Sequence, residues 1–250
     1  MPNHITNVLE FDCSPDEFKK IAEFLRGSPD RPLGHVDFNT LIPMPPSLDV
    51  EAGSRGDTGL MAYREYLRRS FGLGKEEAKK LEETYKERFS EDPEIWDLGK
   101  QYYENIENYG AANWYDWCIR NWGTKWNAYD CAPVDPESGM LSFCTAWSGV
   151  PEMVTAISEK FPTVSIRYGW ADEDIGRNVG RFTMKDGMVT DHDIPAPDSR
   201  EAFEMAAEIM DADLSDWGLT LSRDGTTYVW HEPEPAAEVS KSVERKGDAR

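Results

Sequence analysis

Residues 121–130 read NWGTKWNAYD, and they divide the chain in two. Trp122 and Trp126 flank the Gly123-Thr124-Lys125 step, with Asn121 and Asn127 outside them. Gly123 supplies the conformational freedom for a tight turn, so a helix can end and an extended segment begin there. Residues before this stretch read as helical and aromatic-rich. Residues after it alternate in the manner of strands. A helical block here hands back to a sheet that began near the N-terminus.

Toward the N-terminus, Ile5, Asn7, Leu9 and Phe11 alternate with Thr6, Val8 and Glu10, which predicts a strand with one core face. Ser14-Pro15-Asp16-Glu17 then supplies an N-cap, a proline at the first helical position and a capping-box glutamate. Phe18, Ile21, Ala22 and Leu25 form one helical stripe, and Gly27 ends it. Val36, Phe38, Thr40 and Ile42 predict a second strand, stopped at Pro43, and so an early β-α-β unit. Residues 47–57 read as a loop, and residues 59–120 as a helical block. Within that block Lys75 to Phe89 has thin apolar content and is expected to pack shallowly.

Toward the C-terminus, Lys125 to Asp130 reads as a short extended segment. Leu141, Phe143, Thr145 and Trp147 alternate as a strand face. Pro151 opens a helix with the stripe Val154, Ile157, Ser158 and Phe161, and Pro162 closes it. Val164, Ile166, Tyr168 and Trp170 give another strand, and a hairpin follows with its turn at Asp186-Gly187. Asp198 or Ser199 caps a third helix, and a last hairpin turns at Asp224-Gly225.

This order predicts an α+β fold: a ferredoxin-like, split β-α-β arrangement with a mixed or antiparallel sheet and helices on one face. A single domain over residues 1–231 is expected. Its core comprises 1–46 and 121–195, its helical insert 57–120 and its C-terminal helix and hairpin extension 196–231. Residues 232–250, rich in Pro, Glu, Ser and Lys, are expected to be a disordered tail.

Composition narrows the function classes. Of 250 residues, 39% are hydrophobic, enough for a folded core, and nine Trp, ten Tyr and ten Phe are a heavy aromatic load that can fill a core, line a pocket for a planar ligand or anchor an interface. A formal charge of −20 repels nucleic-acid phosphates and anionic membranes, so no direct nucleic-acid binding and no membrane association are expected. Cys118, Cys131 and Cys144 are spaced thirteen residues apart, which fits no metal-ligand pattern, and Cys13 stands alone. Reduced thiols in a cytoplasmic protein, without metal or cofactor, are expected. The opening MPNHITNVLEF has no basic segment followed by a long apolar run, so it does not read as a signal peptide.

Several stretches carry a resemblance. MPNHITNVLEF, FNTLIPMP, NWGTKWNAYD and LSFCTAWSGVP with FPTVSIRYGWADEDIG occur in this order over residues 1–185. They resemble phage- and plasmid-encoded proteins with a YubB-type ferredoxin-like domain. The resemblance implies that strand order, without an iron–sulfur cluster, and a mobile-element setting. It implies no reaction and no catalytic residues. After Ala146-Trp147-Ser148, where that family often carries a proline pair, this chain has Gly149-Val150-Pro151.

No nucleophile elbow, phosphate loop, zinc-protease helix or dinucleotide fingerprint is present in the sequence, and no catalytic residue is assigned. His192 between Asp191 and Asp193 reads as a solvated loop rather than a metal ligand. The expected binding site combines Trp122, Lys125, Trp126 and Asn127 with Tyr168 and Trp170 from the neighbouring strand. Glu173, Asp174 and Arg177 from the following turn complete it. In it a planar group stacks on tryptophan and an anion meets Lys125, with Arg177 and Arg181 adding charge. Three functions fit. The first is a non-enzymatic binding protein of a mobile element that sequesters a small nucleotide-like ligand or inhibits a host protein, in an anti-defence role. An acidic nucleic-acid mimic is one form of it. The second is a nucleotide-processing enzyme using Glu173 or Asp174 with Lys125. The third is an assembly protein.

Overall fold

A computed structural model describes residues 2–230. The first strand, β1 (His4–Asp12), buries Ile5, Asn7, Leu9 and Phe11 and leaves Thr6, Val8 and Glu10 on its other face. The helix α1 (Pro15–Leu25) follows after the Ser14 side chain accepts from Glu17 N, and it buries the expected stripe.

The segment expected to be the second strand is not one. Phe38–Thr40 forms a single 3₁₀ turn. The Asp37 side chain accepts from Asn39 N at 3.0 Å, and Asn127 Oδ1 takes the Phe38 N–H at 2.9 Å. An aspartate that bonds its own following backbone turns the chain instead of extending it. Val36 and Phe38 are buried all the same, so the alternation reflects loop packing and not a ladder. The early β-α-β unit therefore does not form.

The helical block comprises α2 (Ser54–Ser70), α3 (Lys75–Glu87), α4 (Glu94–Tyr109) and α5 (Trp114–Trp122). Here α2 begins inside the stretch expected to be loop. Gly59 on α2 and Gly99 on α4 let the two backbones touch, since a Cβ on Gly99 would lie 2.0 Å from Gly59 C. Ala62, Tyr85 and Trp96, with Tyr63 and Tyr66 beside them, form a separate aromatic core. Only Tyr85 of α3 is buried, in keeping with its thin apolar content.

After the quoted stretch come β2 (Met140–Ala146), α6 (Pro151–Lys160), β3 (Ser165–Asp172), β4 (Gly180–Lys185) and β5 (Met188–Asp193). Within the five-stranded sheet the order is β2-β1-β3-β4-β5 and every pairing is antiparallel. Both β2 and β3 oppose β1, so they run parallel to one another with β1 between them. β2-α6-β3 is thus the split β-α-β unit, and the fold is the expected ferredoxin-like α+β type. Lys125 to Asp130 adds no strand. It contributes one isolated bridge, Tyr129 to Cys144, along the β2 edge.

Both α1 and α6 lie on the sheet face carrying Leu9, Phe11, Leu141, Phe143 and Ile166, where the main core forms. The third helix departs from the one-face expectation. Following the Ser199 cap, α7 (Arg200–Met210) crosses the opposite face and sets Ile209 against Gly169. A small second core of Ala171, Val179, Phe203 and Ala206 lies beneath it. The last strands, β6 (Leu219–Leu221) and β7 (Tyr228–Trp230), pair by themselves. The tail expected to be disordered lies outside the described residues. No described helix is long and apolar enough to cross a membrane.

Candidate functional site

The quoted stretch is fixed from both sides. Its incoming helix, α5, starts where the Asn113 side chain accepts from Tyr115 N and Asp116 N. It ends at Gly123, whose φ of 74° is left-handed. Buried Thr124 then braces the end of β2: its hydroxyl donates to Ala146 O at 2.9 Å and accepts from Ala146 N at 3.1 Å. On the far side, Asn127 Nδ2 donates to Asp37 Oδ1 at 2.7 Å. Between these anchors Lys125 and Trp126 are held beside the residue that follows β2.

That residue is Trp147. The strand expected to run through it ends at Ala146, because Trp147 takes a left-handed φ of 72° and turns out of the sheet. It is 42% exposed. Its N–H donates to Asn3 O, and its carbonyl accepts from Asn178 Nδ2. A bulky residue in this backbone region is strained and is kept there only by surrounding bonds.

Three rings meet at the Lys125 ammonium. Nζ lies 4.5 Å from the centroid of Trp126, 5.1 Å from Trp147 and 6.0 Å from Tyr115. Tyr115 and Trp147 stand edge to face at 6.2 Å and 88°. Beside this cluster runs a groove of about 580 Å³ lined by Asp57, Tyr115, Asp116, Lys125 and Trp126.

Of the expected site residues, only Lys125 and Trp126 belong to this cluster. Trp122 is core: it packs on Phe38 and Trp117 and its Nε1 donates to Ile42 O at 3.0 Å. Asn127 is structural through its bonds to Asp37, Phe38 N and Ala128 N. Tyr168 is fully buried. Its hydroxyl donates to Asn7 Oδ1 at 2.7 Å and accepts from Val150 N at 2.8 Å, so it offers nothing to a ligand. Trp170 stacks on Tyr168, at 5.4 Å and 23°, with Gly149 and Gly180 close against it.

Glu173, Asp174 and Arg177 are exposed and do not line the Lys125 groove. Arg177 is tied to Asp198 at 3.0 Å and to Asp174 at 3.7 Å. Asp172, the first acid of the trio, is buried and accepts from Asn3, Asn178 and Asp174 N, so the three carboxylates do not converge. Arg181 faces a different groove, of about 500 Å³, between the open sheet face and α7, where it pairs with Glu208 at 3.1 Å.

The remaining chemistry is muted. Burial pushes all four thiols up, Cys118 to about 12, so they stay protonated and weakly nucleophilic near neutral pH. Burial, reinforced by Cys144, Asp130 and Glu173, likewise pushes the Tyr129 hydroxyl up to about 12. It remains a neutral partner of His4 Nδ1 at 2.7 Å. Among the described residues no group of three or more His, Cys, Asp or Glu side chains is placed to hold a metal.

Sequence reasoning missed Tyr115 and Asp116, and misplaced Trp147. A signal for Tyr115 existed: Trp114, Tyr115 and Trp117 sit within four positions of one helix. At 100° per residue these rings cannot all share a core stripe.

The architecture defines a ferredoxin-like domain bearing a helical insert. Comparison with known proteins agrees on the class: residues 121–213 match the family described as a ferredoxin-like domain in Api92-like protein. The match starts at the first residue of the quoted stretch and runs past α7. Among solved structures, the chain is similar to a crystal structure of a protein Api92 from Yersinia pseudotuberculosis. The identity is 10% over 78% of this chain and 99% of that one, with a TM-score of 0.36. No curated protein sequence matches the chain.

Proposed function

We propose that this chain is a binding protein that holds its partner at the ring cluster of Tyr115, Trp126 and Trp147. One observation carries the reading: rings from three separate segments converge on a single ammonium, and one of them is exposed on a left-handed backbone. Core packing requires neither feature. Exposed aromatic assemblies supply most of the energy in many interfaces. The enzyme alternative is less well supported, because Glu173 and Asp174 lie outside the groove that Lys125 lines.

The YubB-type resemblance supports a mobile-element origin, phage or plasmid, and with it an anti-defence role exerted on a host protein. The charge of −20 fits a basic host target, including one that an acidic nucleic-acid mimic would occupy. A nucleotide-like ligand is the second reading, favoured by the Lys125 charge beside the Trp126 face. Mass spectrometry of the proteins and small molecules that co-purify with the chain tests the site. A Trp126→Ala, Trp147→Ala double variant with an intact fold is expected to lose the bound species. Retention of the same species would remove the cluster from the function.

A further inference from the structure

We infer that the ring cluster is a receptor for the ammonium group of a lysine side chain on a basic partner protein. Lys125 is its intramolecular stand-in, displaced when that partner docks. The inference rests on the binding reading of this site and names its ligand chemistry. The face of an aromatic ring carries negative charge density and attracts a cation. Here two tryptophans and a tyrosine already surround one, at 4.5, 5.1 and 6.0 Å. Tyr115 and Trp147, at 88° to each other, form two walls of the box. Among the described residues no carboxylate forms an ion pair with Lys125, so ring faces and not a salt bridge meet its head group. A lysine on a flexible four-carbon stem can swing out to water without disturbing the backbone.

Charge selects a cation over an anion. Asp57 and Asp116 line the groove beside the box and would repel a phosphate. They complement the flanking basic residues of a partner, and the overall charge of −20 steers such a partner in. A box filled by its own lysine also exposes less apolar ring surface before the partner arrives.

Tryptophan fluorescence with three probes tests the idea: a hexalysine peptide acetylated only at its N-terminus, choline and AMP, with 3,3-dimethylbutanol as the neutral isostere of choline. Removing the stand-in relieves the competition, so Lys125→Ala is expected to bind the peptide and choline about tenfold more tightly than the unsubstituted chain. The neutral isostere is expected not to bind, and adding Trp126→Ala is expected to abolish binding. Melting curves and a second variant, Lys125→Ser, separate this gain from a folding effect. Equal or weaker cation binding by both Lys125 variants overturns the inference, as does equal binding of the neutral isostere. Tighter choline binding without tighter peptide binding overturns the protein partner in favour of a free amine. If the Lys125 variants instead lose binding of AMP, and Trp126→Ala loses it too, the site stands and the cation inference fails. If Trp126→Ala and Trp147→Ala alter no probe and no co-purifying species, the site itself fails.

Discussion

At the scale of single residues, polar groups inside the core are as specific as the apolar ones around them. Asn7 is fully buried in β1, and its amide donates to Ile5 O at 2.9 Å and Thr145 Oγ1 at 2.8 Å while Tyr168 donates to its oxygen. The same tyrosine oxygen receives the Val150 N–H just before α6. That bond excludes proline at 150, which has no N–H to give. Tyr168→Phe leaves a buried donor and a buried acceptor without partners. We expect a loss of about 1–3 kcal/mol in urea unfolding. Trp147 makes the opposite kind of prediction. Its left-handed φ of 72° suits glycine, so Trp147→Gly should be more stable than Trp147→Ala by about 1 kcal/mol. That reverses the ordinary order of the two residues, and both variants should lose the partner. An alanine variant more stable than the glycine one would show that the backbone is not held in that conformation.

At the scale of elements, close approach and cross-bracing decide the arrangement. The crossing of α2 and α4 depends on Gly59 and Gly99. A Cβ on Gly59 would lie 2.1 Å from Ile95 O, so Gly59→Ala forces the helices apart. We expect a cost of about 1–3 kcal/mol, seen as earlier melting of the insert by circular dichroism, with the sheet core less affected. The bond between Asn127 and Asp37 ties the quoted stretch to the loop after α1. Burial pulls the Asp37 carboxyl up. Hydrogen bonds from Asn127 and Asn39, with the nearby His35 charge, outweigh it and hold that carboxyl below the usual carboxylate range. A lowered folded value means that the unfolded chain binds the proton more readily. The stabilisation is therefore fully present above the ordinary carboxylate pKa, and it is lost as pH falls through the folded value. Asn127→Ala should destabilise the chain at pH 7, partly by orphaning Phe38 N. The gap in melting temperature between the two chains should narrow below about pH 4. A gap that stays constant through acid would remove the Asp37 contribution.

At the scale of the whole molecule, the charge of −20 sets a background self-repulsion. Salt screens it over a Debye length of about 8–10 Å near physiological strength, so melting temperature should rise between low and moderate sodium chloride. A fall would mean that exposed pairs such as Arg177–Asp198 and Arg181–Glu208 outweigh the repulsion. The same salt should weaken capture of a basic partner, because its long-range attraction is screened as well.

The fold was legible wherever local signals and burial coincide. The Ser14 cap, a cap at Asp198 or Ser199 that Ser199 takes, the alternation in β1, β2 and β3, and the Asp186-Gly187 turn are properties of neighbouring residues, so the chain reports them directly. Residues 36–42 show the limit. Their alternation is real, yet Asp37 and Asn127 spend the backbone bonds of a strand on a turn, and Asn127 lies 90 residues away. The site divided in the same way. Of the quoted stretch, sequence counted Trp122, Lys125, Trp126 and Asn127 toward the site; Lys125 and Trp126 line the groove, whereas Asn127 is bonded to Asp37, Phe38 N and Ala128 N. It counted Trp122, Tyr168 and Trp170 as ligand-facing, although each is spent on the core. The sequence by itself determined the α+β class, the helical insert and the acidic, aromatic-rich character, since propensity, patterning and charge are local or additive. Only the tertiary structure decided which tryptophans are free. That choice depends on Thr124 bracing Ala146, and on Trp147 leaving the sheet to close a box around Lys125, contacts between segments that no local pattern encodes.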